Sequence, residues 1–203
     1  MNRAELKARA KEQIKGNVGI LFVITLIIAA VSAIAGAVLS IIPAVGPLVS
    51  TVIVTPAFAL SIVRVYLNVA AGNKPEAKDA FCGFDDFWSA FKVTFLVGLY
   101  TFLWSLLFVI PGIIKTFAYS MSMYILAENK GMPAKECIRA SMQMTDGHKG
   151  ELFVLGLSFI GWMIVGSLTL GIAYIWILPY MQTTYVNFYN SLKGAAEVPA
   201  EAE

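Results

Sequence analysis

Charged residues are scarce in this chain, and where they are missing matters more than how few there are. Of 203 residues, 14% are charged and 58% are apolar, whereas a soluble domain has about 25% charged residues. No charge occurs in residues 16–63, 93–114 or 152–192. A transmembrane helix needs about 20 apolar residues, so the first and third segments can each hold two. Helices of a soluble protein would carry a polar face at helical period, and these segments have none, which excludes a soluble fold.

The residues that usually carry catalysis or metal binding are also few. The chain has one histidine and two cysteines, Cys82 and Cys137. It contains no H-E-x-x-H or C-x-x-C motif and no glycine-rich phosphate loop. We therefore predict no catalytic residue, no cofactor and no metal site, and expect neither an enzyme nor a nucleic-acid-binding protein. Both cysteines fall in charged connecting segments, where we expect free thiols.

The apolar segments divide into six predicted spans, so the predicted fold class is all-α: a polytopic membrane protein with six transmembrane helices in three hairpins. Three tight turns, at Pro43–Pro47, Pro111-Gly112 and Leu170-Gly171, join the spans of each hairpin and carry no charge. Thirteen of the 15 lysines and arginines lie in the termini and the two long connectors. By the positive-inside rule, both termini and both connectors are predicted to face the cytosol.

Three domains are predicted along the chain. Residues 1–15 indicate a basic interfacial helix, with Leu6, Ala10 and Ile14 as its apolar stripe, lying on an anionic leaflet; a solvated basic arm is the alternative. Residues 16–193 form the six-span membrane domain, with cytosolic amphipathic helices in its connectors, the second lying along the inner surface. Residues 194–203 are small and acidic and are predicted to be a disordered tail.

A short motif suggests an internal repeat. The pattern G-x-x-G-x-L-F occurs at Gly16–Phe22 and again at Gly147–Phe153, at the start of predicted spans one and five. Each unit would consist of a surface helix, a span, a tight turn and a second span. Because every unit begins on the same side of the membrane, the predicted repeats are parallel rather than inverted.

An ionisable residue inside a membrane is a functional hypothesis by default, and two cations occupy predicted spans. Lys115 is expected about one turn into span four from the outer side, away from every carboxylate. We expect it to bind a lipid phosphate or another anion there, with snorkelling to the outer water as the alternative. Arg64, in span two, is the second candidate anion- or lipid-binding residue, and a purely structural snorkelling role is its alternative.

Two further groups of polar residues are candidates. Span six carries a possible solute pathway, Gln182, Thr183 and Asn187, although such groups commonly form hydrogen bonds between helices instead. The predicted cytosolic rim holds a histidine, an arginine and three carboxylates, which could bind a metal or move a proton but are expected to act as ion pairs and helix caps: Glu128, Arg139, Asp146, His148 and Glu151.

The segment Leu103–Lys115, with Ser158–Trp162, Leu170-Gly171 and Pro179-Tyr180, resembles the bacterial integral-membrane family known as domain of unknown function 975. That family is itself similar to the membrane domain of some glycerophosphodiester phosphodiesterases. The resemblance implies six spans in a bacterial plasma membrane and no established activity. The leading hypothesis is a non-enzymatic protein that binds membrane lipids or a partner, which could be a second copy of the chain or another membrane protein. The alternative is a transporter or channel for a small solute or lipid, or an accessory subunit of one.

Overall fold

The computed structural model describes residues 3–39, 54–107 and 109–197, and these residues form helices and turns with no strand among them. The predicted turn at Pro43–Pro47 lies outside the described residues. Ten α-helices are described, together with two 3-10 helices at Ala77–Phe81 and Phe84–Asp86. In chain order the α-helices are α1 Arg3–Ile14, α2 Val18–Leu39, α3 Thr55–Ala70, α4 Phe87–Leu107, α5 Val109–Tyr119, α6 Ser122–Glu128, α7 Ala134–Met144, α8 Lys149–Leu157, α9 Ile160–Leu168 and α10 Tyr174–Glu197.

Three described segments are long and apolar enough to cross a membrane: Val18–Val38, Ala77–Leu106 and Lys149–Leu168. A helix of 20 residues is about 30 Å long, which matches the hydrocarbon core of a bilayer. Their large apolar side chains face outward, as in Phe102, which is 63% exposed, and Leu168, which is 78% exposed. Soluble monomers rarely expose so large an apolar surface to water, so the structure agrees with membrane association.

The helix ends differ from the sequence predictions in two places. The helix α5 already begins at Val109, so Pro111-Gly112 lies in the first part of α5 rather than in a turn. Proline suits this position because the first turn of a helix needs no amide donor. A Cβ at Gly112 would overlap Ser105 of α4, so glycine is required where these two helices touch. The helix α10 continues to Glu197, into the segment that was predicted to be disordered.

The N-terminal helix is also placed differently from the prediction. Its apolar stripe is confirmed, because Leu6, Ala10 and Ile14 are all buried. The stripe packs against α10 rather than lying free for a lipid leaflet, and Asn187 of α10 donates a hydrogen bond to Gln13 over 2.8 Å. The apolar stripe of α1 therefore contacts another helix of the protein instead of the expected leaflet surface.

Three shorter segments pack on helices of the central bundle. The helix α1 packs on α10, the 3-10 helix Ala77–Phe81 packs on α3, and α7 packs on α6. The helix α3 in turn contacts both α6 and α10 at the centre of the bundle. The amphipathic segments therefore cover the inner helices, and the second connector's helix does not simply lie along a membrane surface.

Candidate functional site

A cleft of about 280 Å³ surrounds the side chain of Lys115, and we call it the lysine cleft. The helix α5 forms one wall, and the end of α7 with the start of α8 forms the other. The lining consists of Ile114, Lys115, Ala118, Met142, Gln143, Asp146 and Lys149. The cleft therefore joins the predicted intramembrane lysine to the charged second connector.

Lys115 itself is half-buried. Its Nζ lies 5.0 Å from the centre of the Trp104 ring, a geometry in which the electron-rich ring face attracts the cation. The structure gives this ammonium group no hydrogen bond or ion pair with a described residue. Its hydrogen-bond donors are thus available to an anion that enters the cleft.

Asp146 lines the same cleft, which corrects two expectations: that no carboxylate approaches Lys115, and that Lys115 lies on the opposite side of the membrane from the second connector. This carboxylate already accepts a hydrogen bond from Lys149 Nζ over 2.8 Å. That hydrogen bond, together with the positive charge of Lys149, holds the pKa of Asp146 below its usual value. The cleft thus contains two ammonium groups and one carboxylate that is paired with the second of them, and its net charge is positive.

The shape of the lysine cleft depends on a break between α5 and α6. At this break Ala118 has a backbone carbonyl that accepts a hydrogen bond from Ser141 Oγ over 2.7 Å, and the same Oγ accepts one from Met121 N over 3.2 Å. Thr145 also donates to the Ala118 carbonyl, over 3.3 Å. A helix interruption in lipid requires such replacement partners, and α7 supplies them. This contact positions the end of α7 beside Lys115.

Arg64 lies in a different place, in a cavity of about 410 Å³ that we call the arginine cavity. Its Nη1 donates to the Cys82 carbonyl over 2.6 Å, and its Nη2 lies 4.0 Å from Asp86 Oδ2. Asn68 and Asn190 also line the cavity. The contact with the Cys82 carbonyl means that Arg64 binds protein groups rather than reaching freely for a head group, although part of its guanidinium still faces the cavity.

The predicted rim residues do not form one site. Glu128 lines the arginine cavity, where it accepts hydrogen bonds from Tyr189 over 2.7 Å and from Lys193 over 2.9 Å. His148 Nδ1 lies 3.1 Å from Glu151 Oε2 at the start of α8. Arg139 is exposed on α7.

Within the described ranges no group of three or more His, Cys, Asp or Glu side chains could hold a metal ion. Because the five rim residues are divided among different parts of the molecule, they cannot act together on one ligand.

The polar residues of span six are divided as well. Gln182 lines a cavity of about 590 Å³ between α3, α4 and the α5–α6 break. Thr183 is fully buried, and its hydroxyl has no hydrogen-bond partner in the part of the chain that the structure describes. Asn187 is bonded to Gln13 and to the Leu6 carbonyl of α1. Of the three, Asn187 serves helix packing, and only Gln182 lines this cavity.

Sequence reasoning missed two contributors to the lysine cleft, Trp104 and Gln143. Trp104 could have been found, because it lies near the end of α4 and Lys115 lies in α5, and these two consecutive helices pack against each other. Gln143 gave no such signal, because its position depends on how α7 packs against α5.

The comparisons with known proteins bear on the family and not on the activity. No curated protein and no solved structure matches the chain significantly, so the similarity to phosphodiesterase membrane domains stays an expectation. A family model described as "Protein of unknown function (DUF975)" matches residues 1–116 and 106–196. Because these matches extend over nearly the whole sequence, the chain belongs to the DUF975 family.

Proposed function

We propose that this protein is a six-span protein of the bacterial plasma membrane, with both termini in the cytosol, and that it binds an anionic phospholipid in the lysine cleft without catalysing a reaction. The helices α2 and α3, α4 and α5–α6, and α8–α9 and α10 supply the three hairpins. The separation of lysine and arginine from the tight turns supports the orientation.

The observation that carries the binding role is the excess of positive charge in the lysine cleft. Lys149 is paired with Asp146, whereas Lys115 has the ring of Trp104 beside it and no carboxylate partner among the described residues. A lipid phosphodiester carries one negative charge and accepts hydrogen bonds, which matches the unpaired cation of this cleft. An ammonium group beside an apolar surface strongly favours such an anion over water alone.

The surroundings of the cleft suit a lipid better than a free phosphate ion. Ile113 and Ile114 on α5 and Phe153 on α8 are each close to half exposed, at 49%, 47% and 47%. Ile114 lines the cleft, and Ile113 and Phe153 lie on the two helices that form its walls. When Lys115 binds the phosphate of a lipid, the cleft holds the head group and the acyl chains lie against this apolar surface.

The test compares lipid retention by two lysine variants. Lys115→Met removes the unpaired cation, and Lys135→Met removes an exposed lysine of α7 outside the cleft. Each protein is placed in nanodiscs containing phosphatidylglycerol and phosphatidylcholine, and the retained lipids are measured by native mass spectrometry. A surface lysine contributes about 1 kcal/mol to binding an anionic lipid, so we expect Lys115→Met to lose about fivefold affinity for phosphatidylglycerol.

Equal phosphatidylglycerol retention by the two variants would overturn the proposed binding role. Repeating the measurement with inorganic phosphate in solution distinguishes a lipid site from a free-anion site. Millimolar phosphate should not displace phosphatidylglycerol from a lipid site. Two-sided solute flux in proteoliposomes would instead support the transport alternative.

A further inference from the structure

The cavity that Gln182 lines is separate from both sites described above, and we call it the break cavity. It has a volume of about 590 Å³, within the usual range of about 300–1,000 Å³ for small-ligand sites. The helices α3 and α4 form two of its walls, and Ser120 and Ser122, on either side of the α5–α6 break, form the third. The lysine cleft lies against different residues of α5, so the two sites can be tested independently.

The lining of the break cavity selects against charge. Thirteen residues line it, and none of them is Asp, Glu, Lys, Arg or His. Burying an ion without a partner is far more costly than burying a neutral group. An occupant of this cavity should therefore be neutral and mostly apolar.

Two lining residues nevertheless offer hydrogen bonds that the protein does not use. The Thr94 hydroxyl is buried and has no partner among the described residues, and the Gln182 amide makes no hydrogen bond there either. The hydroxyls of Thr116, Ser120 and Ser122, which also line the cavity, already donate to backbone carbonyls over 2.9, 2.8 and 2.8 Å. Because a buried polar group is costly without a partner, the Thr94 hydroxyl indicates a ligand that hydrogen-bonds to it, and the half-buried Gln182 amide offers that ligand a further donor and acceptor.

The helix that carries Thr94 is part of a candidate membrane span, Ala77–Leu106. Phe95 and Leu99 beside it are 55% and 39% exposed, so the medium next to this wall is hydrocarbon under the proposed membrane placement. Molecules that reach the cavity from hydrocarbon are lipids. A neutral lipid with a free hydroxyl and an ester carbonyl supplies the donor and acceptor that Thr94 and Gln182 lack.

We propose that the break cavity binds a neutral acylglycerol, with one acyl chain along the apolar walls and its hydroxyl and ester groups at Thr94 and Gln182. The inference rests on the proposed membrane placement but not on anion binding by Lys115. It adds a second lipid class, held by hydrogen bonds and apolar contact rather than by charge.

A glycine pair allows the cavity to be filled with a matched control. Gly98 lines the break cavity, and a Cβ there meets no atom within 4 Å. Gly161 of α9 is equally open and lies outside this cavity. Gly98→Leu should therefore occlude the cavity without a clash, while Gly161→Leu adds the same side chain elsewhere.

The experiment uses the full-length protein in nanodiscs with a diacylglycerol that carries a photoreactive diazirine in one acyl chain. We expect cross-links on peptides containing Thr94 or Met123, reduced about tenfold by Gly98→Leu and unchanged by Gly161→Leu. Thr94→Val removes one hydrogen-bonding group while keeping the side-chain shape, and should weaken cross-linking about three- to tenfold. Unlabelled diacylglycerol should compete better than phosphatidylglycerol.

Cross-linking that Gly98→Leu and Thr94→Val both leave unchanged would overturn the proposal, as would equal competition by phosphatidylglycerol. Thr94→Val keeps the test decisive should Gly98→Leu fail to fold. Lys115→Met separates the two ideas, because it should lower phosphatidylglycerol retention and leave diacylglycerol cross-linking intact. Loss of diacylglycerol cross-linking in Lys115→Met would show that the two sites are one, against the proposal.

Discussion

Two regions of the molecule share one local plan, and they differ in what their first helix packs against. The first region is α1, Gly16 and α2, and the second is α7, Gly147 and α8. Both glycines have positive φ, 87° and 76°, a conformation that residues other than glycine adopt only at a cost. The turns also match: Asn17 N donates to Ile14 O over 2.9 Å, and His148 N donates to Thr145 O over 3.0 Å.

The buried positions correspond as well. Counted from each glycine, six positions are buried in both regions. In the first region these are Leu6, Ala10, Ile14, Leu21, Ile24 and Ile28, and in the second Cys137, Ser141, Thr145, Leu152, Leu155 and Phe159. The similarity between the two regions therefore extends well beyond the seven-residue motif, over a helix, a glycine turn and the following helix, while the parallel orientation of the repeats in a membrane stays a prediction.

The difference lies in the helix that each first helix contacts. The helix α1 packs on α10, which stays continuous although it contains Pro179. Lys7 of α1 lies 4.5 Å above the Phe159 ring, and burial there lowers the pKa of Lys7, with Arg3 and Lys11 adding smaller effects. The helix α7, by contrast, packs on the interrupted pair α5 and α6, where it bonds to freed backbone groups.

The difference between the two regions indicates where this architecture has space for ligands. The lysine cleft and the break cavity both lie beside the α5–α6 interruption: residues of α5 line the lysine cleft, and residues before and after the interruption line the break cavity. An interruption releases backbone groups and opens space between helices, and neighbouring hydroxyls then stabilise it. The repeat supplies the scaffold, and the α5–α6 interruption supplies the lysine cleft and the break cavity.

The largest expected effect comes from removing the hydroxyl that holds the interruption. Ser141→Ala leaves the Ala118 carbonyl with only the longer Thr145 contact and leaves Met121 N without an acceptor. We expect a loss of about 2 kcal/mol in the free energy of unfolding, since a buried unsatisfied group costs about 1–3 kcal/mol. Denaturant unfolding in detergent micelles measures it. Ser120→Ala is the control, because its hydroxyl is exposed, and equal effects of both variants would contradict the role given to α7.

A smaller effect is expected at the two glycines of the repeat. Gly16→Ala and Gly147→Ala should each cost about 1–2 kcal/mol, because an alanine Cβ is strained at positive φ. Gly19→Ala and Gly150→Ala are the matched controls, since both are helical, correspond to each other in the repeat and meet open space. These should stabilise by up to about 1 kcal/mol. A loss at Gly16 without one at Gly147 would break the equivalence of the two regions.

The smallest perturbation probes how firmly the two first helices are packed. Burial raises the pKa of Cys137 to about 11, so little thiolate exists at neutral pH. In a Cys82→Ser background, maleimide should label Cys137 slowly at pH 7 and about tenfold faster for each pH unit up to about 11, because the thiolate is the nucleophile. Leu6→Cys should behave alike, and the exposed Ala8→Cys should react rapidly. Fast labelling at Leu6→Cys alone would mean that α1 is less firmly packed than α7.

Much of the fold could be predicted because polarity along the chain is a local property. The uncharged segments predicted the candidate spans, the spacing of Leu6, Ala10 and Ile14 predicted the buried face of α1, and the recurring glycines predicted the repeat. Each of these inferences compares a residue with neighbours a few positions away. The six-span arrangement and its orientation follow from the same local signals and stay predictions.

The candidate sites could be predicted only in part. Lys115 was singled out because a lone cation in an apolar run is visible in the sequence, but the residues that lie next to it in space were not predicted to lie there. Asp146 and Lys149 reach it because α7 packs on the α5–α6 interruption. Likewise, nothing near Gln182 in the chain indicates that Thr94 shares its cavity.

The sequence alone therefore determined which segments prefer hydrocarbon to water, since each side chain has its own affinity for the two media. It did not determine which distant helices pack together, because their apolar faces are alike in polarity and differ only in shape. Packing of small side chains, a few hydroxyl-to-carbonyl bonds and one interrupted helix decided which faces meet. That choice placed the lysine in a cleft with a charged connector and opened the uncharged cavity beside it.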